Sequence, residues 1–166
     1  MGVVSIPDGL LNLIRKKGFD PEVFIVDAIN SMLKLDPETE VRVRVGIARY
    51  MYERAVEEIE KGDSIEASEK LYKVVEECIK VLSCIHGIEE CRIAREKGLW
   101  WTKLLSRASR KLTRILENNL FINAWSQAYD LHVHGFHERS LEIDDVKQSL
   151  NVIKELLEYV EKTVGT

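Results

Sequence analysis

The sequence predicts an all-α fold, an up-and-down helical bundle with a short N-terminal helical extension. Two observations carry that prediction. Proline and glycine are scarce within long stretches and punctuate between them, at Pro7, Gly18, Pro21, Pro37, Gly62, Gly87, Gly98 and Gly135. The intervening segments repeat their apolar residues at helical steps of three and four. One short stretch alternates like a strand, but no partner strand is visible elsewhere. At 166 residues, 45% apolar and 31% charged, the chain suits one globular domain with its own core. The expected organisation is an extension over residues 1–36 and a bundle over 37–166.

Residues 8–17 and 21–34 read as two short helices. Asp20-Pro21 opens the second, because proline at the first helical position lacks only an amide that would have no helical partner. Asp36-Pro37 opens a third helix to about Lys61, which takes in the strand-like alternation Val41-Arg42-Val43-Arg44-Val45. Gly62 breaks the chain, and Asp63 or Ser64 caps the next helix, 65–85. There Glu66/Lys70, Glu69/Lys73 and Glu76/Lys80 stand four apart with the acid first, predicting a charged outer face. Leu71, Val75, Cys78, Ile79 and Leu82 take the opposite, buried side, which puts this helix at the centre of the bundle. A charged connector is expected next, then helices over 99–117, 120–134 and 144–163. The last carries a core stripe of Val146, Leu150, Ile153, Leu157 and Val160.

Composition narrows the function classes. The net charge of −4 gives no general case for nucleic-acid binding, though a local basic face is compatible with it. No apolar run approaches the roughly 18 residues of a membrane span, and no signal-peptide layout opens the chain. Met1-Gly2 does not begin a myristoylation motif, since Ile6 stands where Ser or Thr is required. Cys78, Cys84 and Cys91 are odd in number and read as reduced thiols of a cytoplasmic protein. Two glutamines among many Lys, Arg and Glu residues match the bias of proteins from hot environments.

Two features carry chemistry. From Arg92 to Arg114 there are eight Lys or Arg residues and one acid, Glu96. On a helical wheel Lys103, Arg107, Arg110 and Arg114 form one stripe, bordered by Ser106 and Thr113. Trp101, Leu104, Leu105, Ala108, Leu112, Ile115 and Leu116 form the buried side, leaving Trp100 as the exposed tryptophan. Guanidinium arrays pair bidentately with phosphate oxygens, so the stripe is a candidate phosphate or nucleic-acid contact, with Trp100 able to stack a base. The competing reading docks the stripe on an acidic helix, such as the Glu53-to-Glu60 region or a second subunit.

The second feature is His132, His134 and His137 with Glu138, around a Gly135 that suits a left-handed helix cap. His132 and His134 would point about 200° apart on a continuous helix, so they cannot share an ion. Histidines near a helix C-terminus also interact favourably with its dipole. His132 remains on the helix and is the best-placed catalytic or binding histidine, with His134, His137 and Glu138 at the rim. Cys78, Cys84, His86 and Cys91 lack zinc-site spacing. Beyond Gly135 the chain can fold back to bring His137 round, with Glu138 as a carboxylate. That set suits zinc in composition but lacks the helical i, i+4 spacing. A metal-bound structural protein is thus a third reading, and no metal or cofactor is expected.

The segment GDSIEASEKLYKVVEECIK from Gly62 to Lys80 resembles a characteristic helix of the archaeal PaREP family, first type. WSQAYDLHVHGFHE, from Trp125 to Glu138, resembles the same family's histidine signature. Leu35-Asp36-Pro37 and Leu99-Trp100 fit as well, so the resemblance spans nearly the whole chain. That family is similar to the HEPN superfamily of helical bundles, which implies the fold above and a homodimer. Some HEPN proteins are metal-independent ribonucleases with an arginine and a histidine separated by four to six intervening residues; others bind nucleotides or partner a nucleotidyltransferase. Here Trp125, Ser126 and Gln127 hold the positions for that arginine. The resemblance therefore implies a non-catalytic module binding a nucleotide, an RNA or a partner protein. A ribonuclease using His132 as general acid/base with an arginine from the basic helix is one alternative. A purely structural dimer is another.

Overall fold

The computed structural model describes residues 4–165, and these form helices and connecting turns without a strand. The Met1-Gly2 reading lies outside the described residues. The chain divides into two compact units, the first ending at Leu35 and the second starting at Asp36. The first unit holds α1 (Asp8–Lys16) and α2 (Pro21–Met32). Asp20 caps α2 by accepting the Val23 amide at 2.9 Å, and the Phe19 and Phe24 rings meet at 5.2 Å.

The second unit contains α3 (Pro37–Lys61), α4 (Ser64–Ile85), α5 (Glu89–Lys97), α6 (Thr102–Ile115) and α7 (Leu120–Asp130). A π-helical turn (Leu131–His137) follows directly, then α8 (Ile143–Gln148) and α9 (Leu150–Val164). Strand-like as it looks, the Val41–Val45 alternation is helical, because Asp36 caps α3 and Pro37 starts it. Gly62 ends α3 at φ 78°, a left-handed conformation that costs glycine little. Asp63 then accepts the Ile65 and Glu66 amides at 3.1 and 3.0 Å, turning the chain into α4. The last predicted helix is divided at Ser149 into α8 and α9. Its stripe survives the break, with Val146, Ile153, Leu157 and Val160 buried and Leu150 half-buried.

α3, α5, α6, α7, the π turn, α8 and α9 all pack on α4. Of its 22 residues, 16 are buried, among them Leu71, Val75, Cys78, Ile79 and Leu82. Each such aliphatic side chain contributes roughly 1.5–3 kcal/mol by leaving water. The charged side of α4 is not the outer face that its spacing predicts. Lys73 and Lys80 are 1% and 6% exposed, and Glu77 is fully buried. Enclosure turns these residues into an internal ion network. Lys73 Nζ lies 3.1 Å from Glu76 and 3.0 Å from Glu77, while Lys80 reaches both acids and stands 2.8 Å from Glu77. From α3, Arg44 binds Glu77 at 2.7 Å and Glu40 at 2.8 Å. Burial alone would raise the Glu77 carboxyl, but Lys73, Lys80 and Arg44 outweigh it and hold the pKa well below the carboxylate range.

The charged connector is a helix, α5, too short and too polar to show an apolar stripe, since it buries only Glu90, Cys91 and Ala94. Cys84 and Cys91 are not reduced thiols: they form a disulfide, with Cα atoms 5.2 Å apart, joining the end of α4 to α5. Spacing alone does not reveal it, because the turn at Gly87 is what brings the two helices together. The bond also removes both residues from any Cys78, Cys84, His86, Cys91 metal set. Cys78 is free and buried, and burial pushes its thiol pKa up, which makes it unreactive. No helix among the described residues is long and apolar enough to cross a membrane.

Glu77→Ala should cost about 3–5 kcal/mol in denaturant unfolding, because three cations lose a buried partner. The stabilisation carried by Glu77 is complete above its unfolded pKa of about 4.3 and is lost as pH falls through its depressed folded value. Acid unfolding of the wild type should therefore begin below that pH and be flatter in the variant. Cys84→Ser should lower stability by about 2–3 kcal/mol, the loop-closure contribution for so short a span, read as a fall in Tm.

Candidate functional site

The π turn shapes the histidine cluster. Residues five apart on an α-helix diverge by about 140°. The wider π turn, closed by i→i+5 hydrogen bonds, brings residue i+5 back toward the face of residue i. His132 and His137 are five apart, and their Nε2 atoms stand 3.2 Å from each other. On its other side the His132 Nδ1–H donates to Glu69 Oε2 of α4 at 2.7 Å. A carboxylate only accepts, so the neutral His132 ring carries its proton on Nδ1 and offers the Nε2 lone pair outward. The His137 Nε2–H donates to that lone pair.

Tyr72 of α4 stacks on the His132 ring at 4.2 Å between centroids, and Trp125 backs Tyr72 at 6.0 Å. Phe136 meets His137 edge-on at 5.2 Å. His132 is thereby fixed on both faces of its chemistry, the ring by Tyr72 and Nδ1 by Glu69, while His137 is exposed. His134 points elsewhere, as the opposed directions on a helix predict. Its Nδ1–H donates to Glu138 at 2.7 Å, with Asp130 3.8 Å from Nε2. The Glu138 hydrogen bond raises the His134 pKa above its ordinary value. Among the described residues, no three or more His, Cys, Asp or Glu side chains gather as a metal-binding group.

Gly135 does not cap a helix in the left-handed conformation. It is buried within the π turn, and a Cβ there would lie 2.6 Å from the Ser68 Cβ and closer still to its Oγ. The missing side chain lets the π turn seat directly on α4, the contact that brings His132 over Glu69. Glu69 and Tyr72 escaped the sequence reading because they lie some sixty residues from the histidines. Glu69 was visible as a member of the α4 charge pattern, and both residues lie in the Gly62-to-Lys80 segment that carries the family resemblance.

α6 begins three residues later than its sequence suggests, at Thr102, because Gly98 ends α5 at φ 70° and Trp101 is extended. This reverses the tryptophan assignment. Trp101 is 37% exposed instead of buried, Trp100 is half-buried, and Ile115 is exposed as well. Lys103, Arg107, Arg110 and Arg114 are all exposed on α6. Arg107 lies 3.3 Å from the buried Glu90 of α5, which Lys111 also approaches at 2.9 Å. The acidic partner is therefore α5, not the Glu53-to-Glu60 region. Lys103, Arg110 and Arg114 have no acidic partner among the described residues. Arg110, Thr113, Arg114 and Ile122 line a cavity of about 340 Å³ beside α7.

Residues 43–157 match the model of the archaeal PaREP1/PaREP8 family. The chain belongs to that family. A crystal structure of a Sulfolobus solfataricus protein is 35% identical, with a TM-score of 0.64 over 70% of this chain and 94% of that one. The solution structure of the Orf c02003 protein is 37% identical, with a TM-score of 0.62 over 70% and 89%. No curated protein matches the chain. The family match spans α4, the basic helix and the histidine turn together.

Gly135→Ala should destabilise the protein by about 1–3 kcal/mol, the usual cost of overpacking. Its histidine ring resonances should shift in NMR spectra as His132 leaves Glu69. A variant with wild-type stability and unchanged spectra would show that the close seating on α4 is dispensable.

Proposed function

We propose that this all-α archaeal protein is a non-catalytic, HEPN-like binding module whose ligand carries phosphate, an RNA or a nucleotide. The observation that supports this reading is the exposed α6 stripe. Lys103, Arg110 and Arg114 have no acidic partner among the described residues, and two of them border the cavity beside α7. Unpartnered cations in line suit a chain of phosphates, each contact adding affinity by releasing counterions. Arg107 has a weaker role because Glu90 already holds it. Trp101, rather than Trp100, is the ring available to stack on a base. In this reading two chains pair in the cytoplasm as a homodimer and present two such faces.

A ribonuclease reading draws support from one specific observation, the Glu69–His132 hydrogen bond. A carboxylate on Nδ1 is the arrangement that orients a histidine for general acid/base work at Nε2. Against it, Trp125, Ser126 and Gln127 hold the positions where HEPN ribonucleases carry arginine, and Trp125 is buried. A cation for the transition state would then have to come from α6.

The deciding experiment is a mobility shift of labelled single-stranded RNA at low and physiological salt with EDTA present, the same samples then being run on a denaturing gel. Intact, shifted RNA is expected, with log affinity falling against log salt at a slope of about −2 for three phosphate contacts. Arg110→Glu with Arg114→Glu should abolish the shift and leave the circular dichroism spectrum unchanged. Salt-independent binding, or unchanged affinity in that double variant, would discard the stripe. Shortened RNA that disappears in His132→Ala would establish the ribonuclease. Neither shift nor cleavage would leave a structural dimer or a protein-binding module.

A further inference from the structure

We infer that His132 and His137 form an open binding site for one borderline divalent transition-metal ion, such as zinc. Two imidazole nitrogens bound to one tetrahedral zinc at 2.0–2.1 Å stand roughly 3.3–3.4 Å apart. The two Nε2 atoms here are 3.2 Å apart, close to that separation. A tilt of the exposed His137 ring that turns its lone pair off the N···N line therefore lets both nitrogens face one ion. In the metal-free protein one proton bridges them. On binding, that proton moves from His137 Nε2 to Nδ1 of the same neutral ring, which frees the second lone pair.

The support behind the pair is what separates it from two neighbouring surface histidines. Glu69, 8% exposed, holds the His132 Nδ1–H at 2.7 Å. A carboxylate behind a ligating histidine fixes the tautomer and raises the basicity of the metal-facing nitrogen. Tyr72 holds the plane of the ring from α4. His137 comes from the far end of the π turn and is exposed, giving an ion a path from solvent. His134 and Glu138 satisfy each other and contribute nothing to the site. With two protein ligands, the remaining coordination positions are left for water or for an oxygen of a bound molecule. Imidazole ligands favour zinc, copper(II) and nickel over magnesium or calcium.

The test is isothermal titration of zinc chloride into tag-free protein with the Cys84–Cys91 disulfide intact, which keeps those sulfurs out of coordination. One ion per chain is expected. Binding should be lost in His137→Ala, an exposed position whose replacement leaves the core untouched, and in His132→Ala. It should weaken 10–100-fold in Glu69→Gln, as loss of a supporting carboxylate does elsewhere, and stay unchanged in His134→Ala. No binding to the wild type would overturn the site. So would equal binding by His137→Ala, since the ion would then sit elsewhere. The result is independent of RNA binding by α6, which is measured in EDTA.

Discussion

The structure depends on neutralising Glu77. A helix packed on nearly every side has no outer face, so the charged residues of α4 must satisfy one another inside the protein. Glu77 draws in Lys73 and Lys80 from its own helix and Arg44 from α3, and Arg44 continues to Glu40. Arg95 of α5 reaches the same Glu40 at 3.4 Å. One buried carboxylate thus organises cations from two helices and orients a third through a shared acid. Removing charge from such a network is costly because the groups that remain have no water to turn to.

Enclosure of α4 also explains the position of the histidines. Glu69 lies on the same charged side of α4 and is 8% exposed. Its carboxylate accepts from His132 Nδ1. The close crossing at Gly135 and Ser68 brings the π turn near enough for that bond, and Tyr72, one turn along α4, supplies the ring that His132 stacks on. Structural charge network and candidate site are thus two ends of one helix surface.

Much of the fold was legible from residue pattern. Periodicity located α3, α4 and the α9 stripe, and Asp-Pro pairs marked the starts of α2 and α3. The apolar side of α4 was readable because burial selects for it directly. Its charged side was not, because the spacing that stabilises an exposed helix is the same spacing that lets buried charges pair. α5 was hidden by its composition, with an acid, a cysteine and an alanine facing inward. The basic stripe of α6 was visible as charge, but its ion pair with Glu90 and the exposure of Trp101 depend on where α5 stops. For the histidines, the wheel separates His132 from His134 correctly. It cannot bring His132 to His137, because it assumes an α-helical pitch that Leu131–His137 does not have.

That change of pitch makes the chain length between α7 and α8 a structural quantity. In a loop, one residue more or less is absorbed without consequence. Within Leu131–His137 the widened turn holds its surplus residue as part of a continuous helix. Dropping one residue would restore ordinary pitch and rotate every later position of that helix by about 100°. Glycine would then no longer face Ser68, and the second imidazole would swing away from the first. Homologous chains that share this crossing must therefore agree in length here even where they differ in sequence. A single-residue gap in this segment of an alignment would mark a relative with a different histidine arrangement.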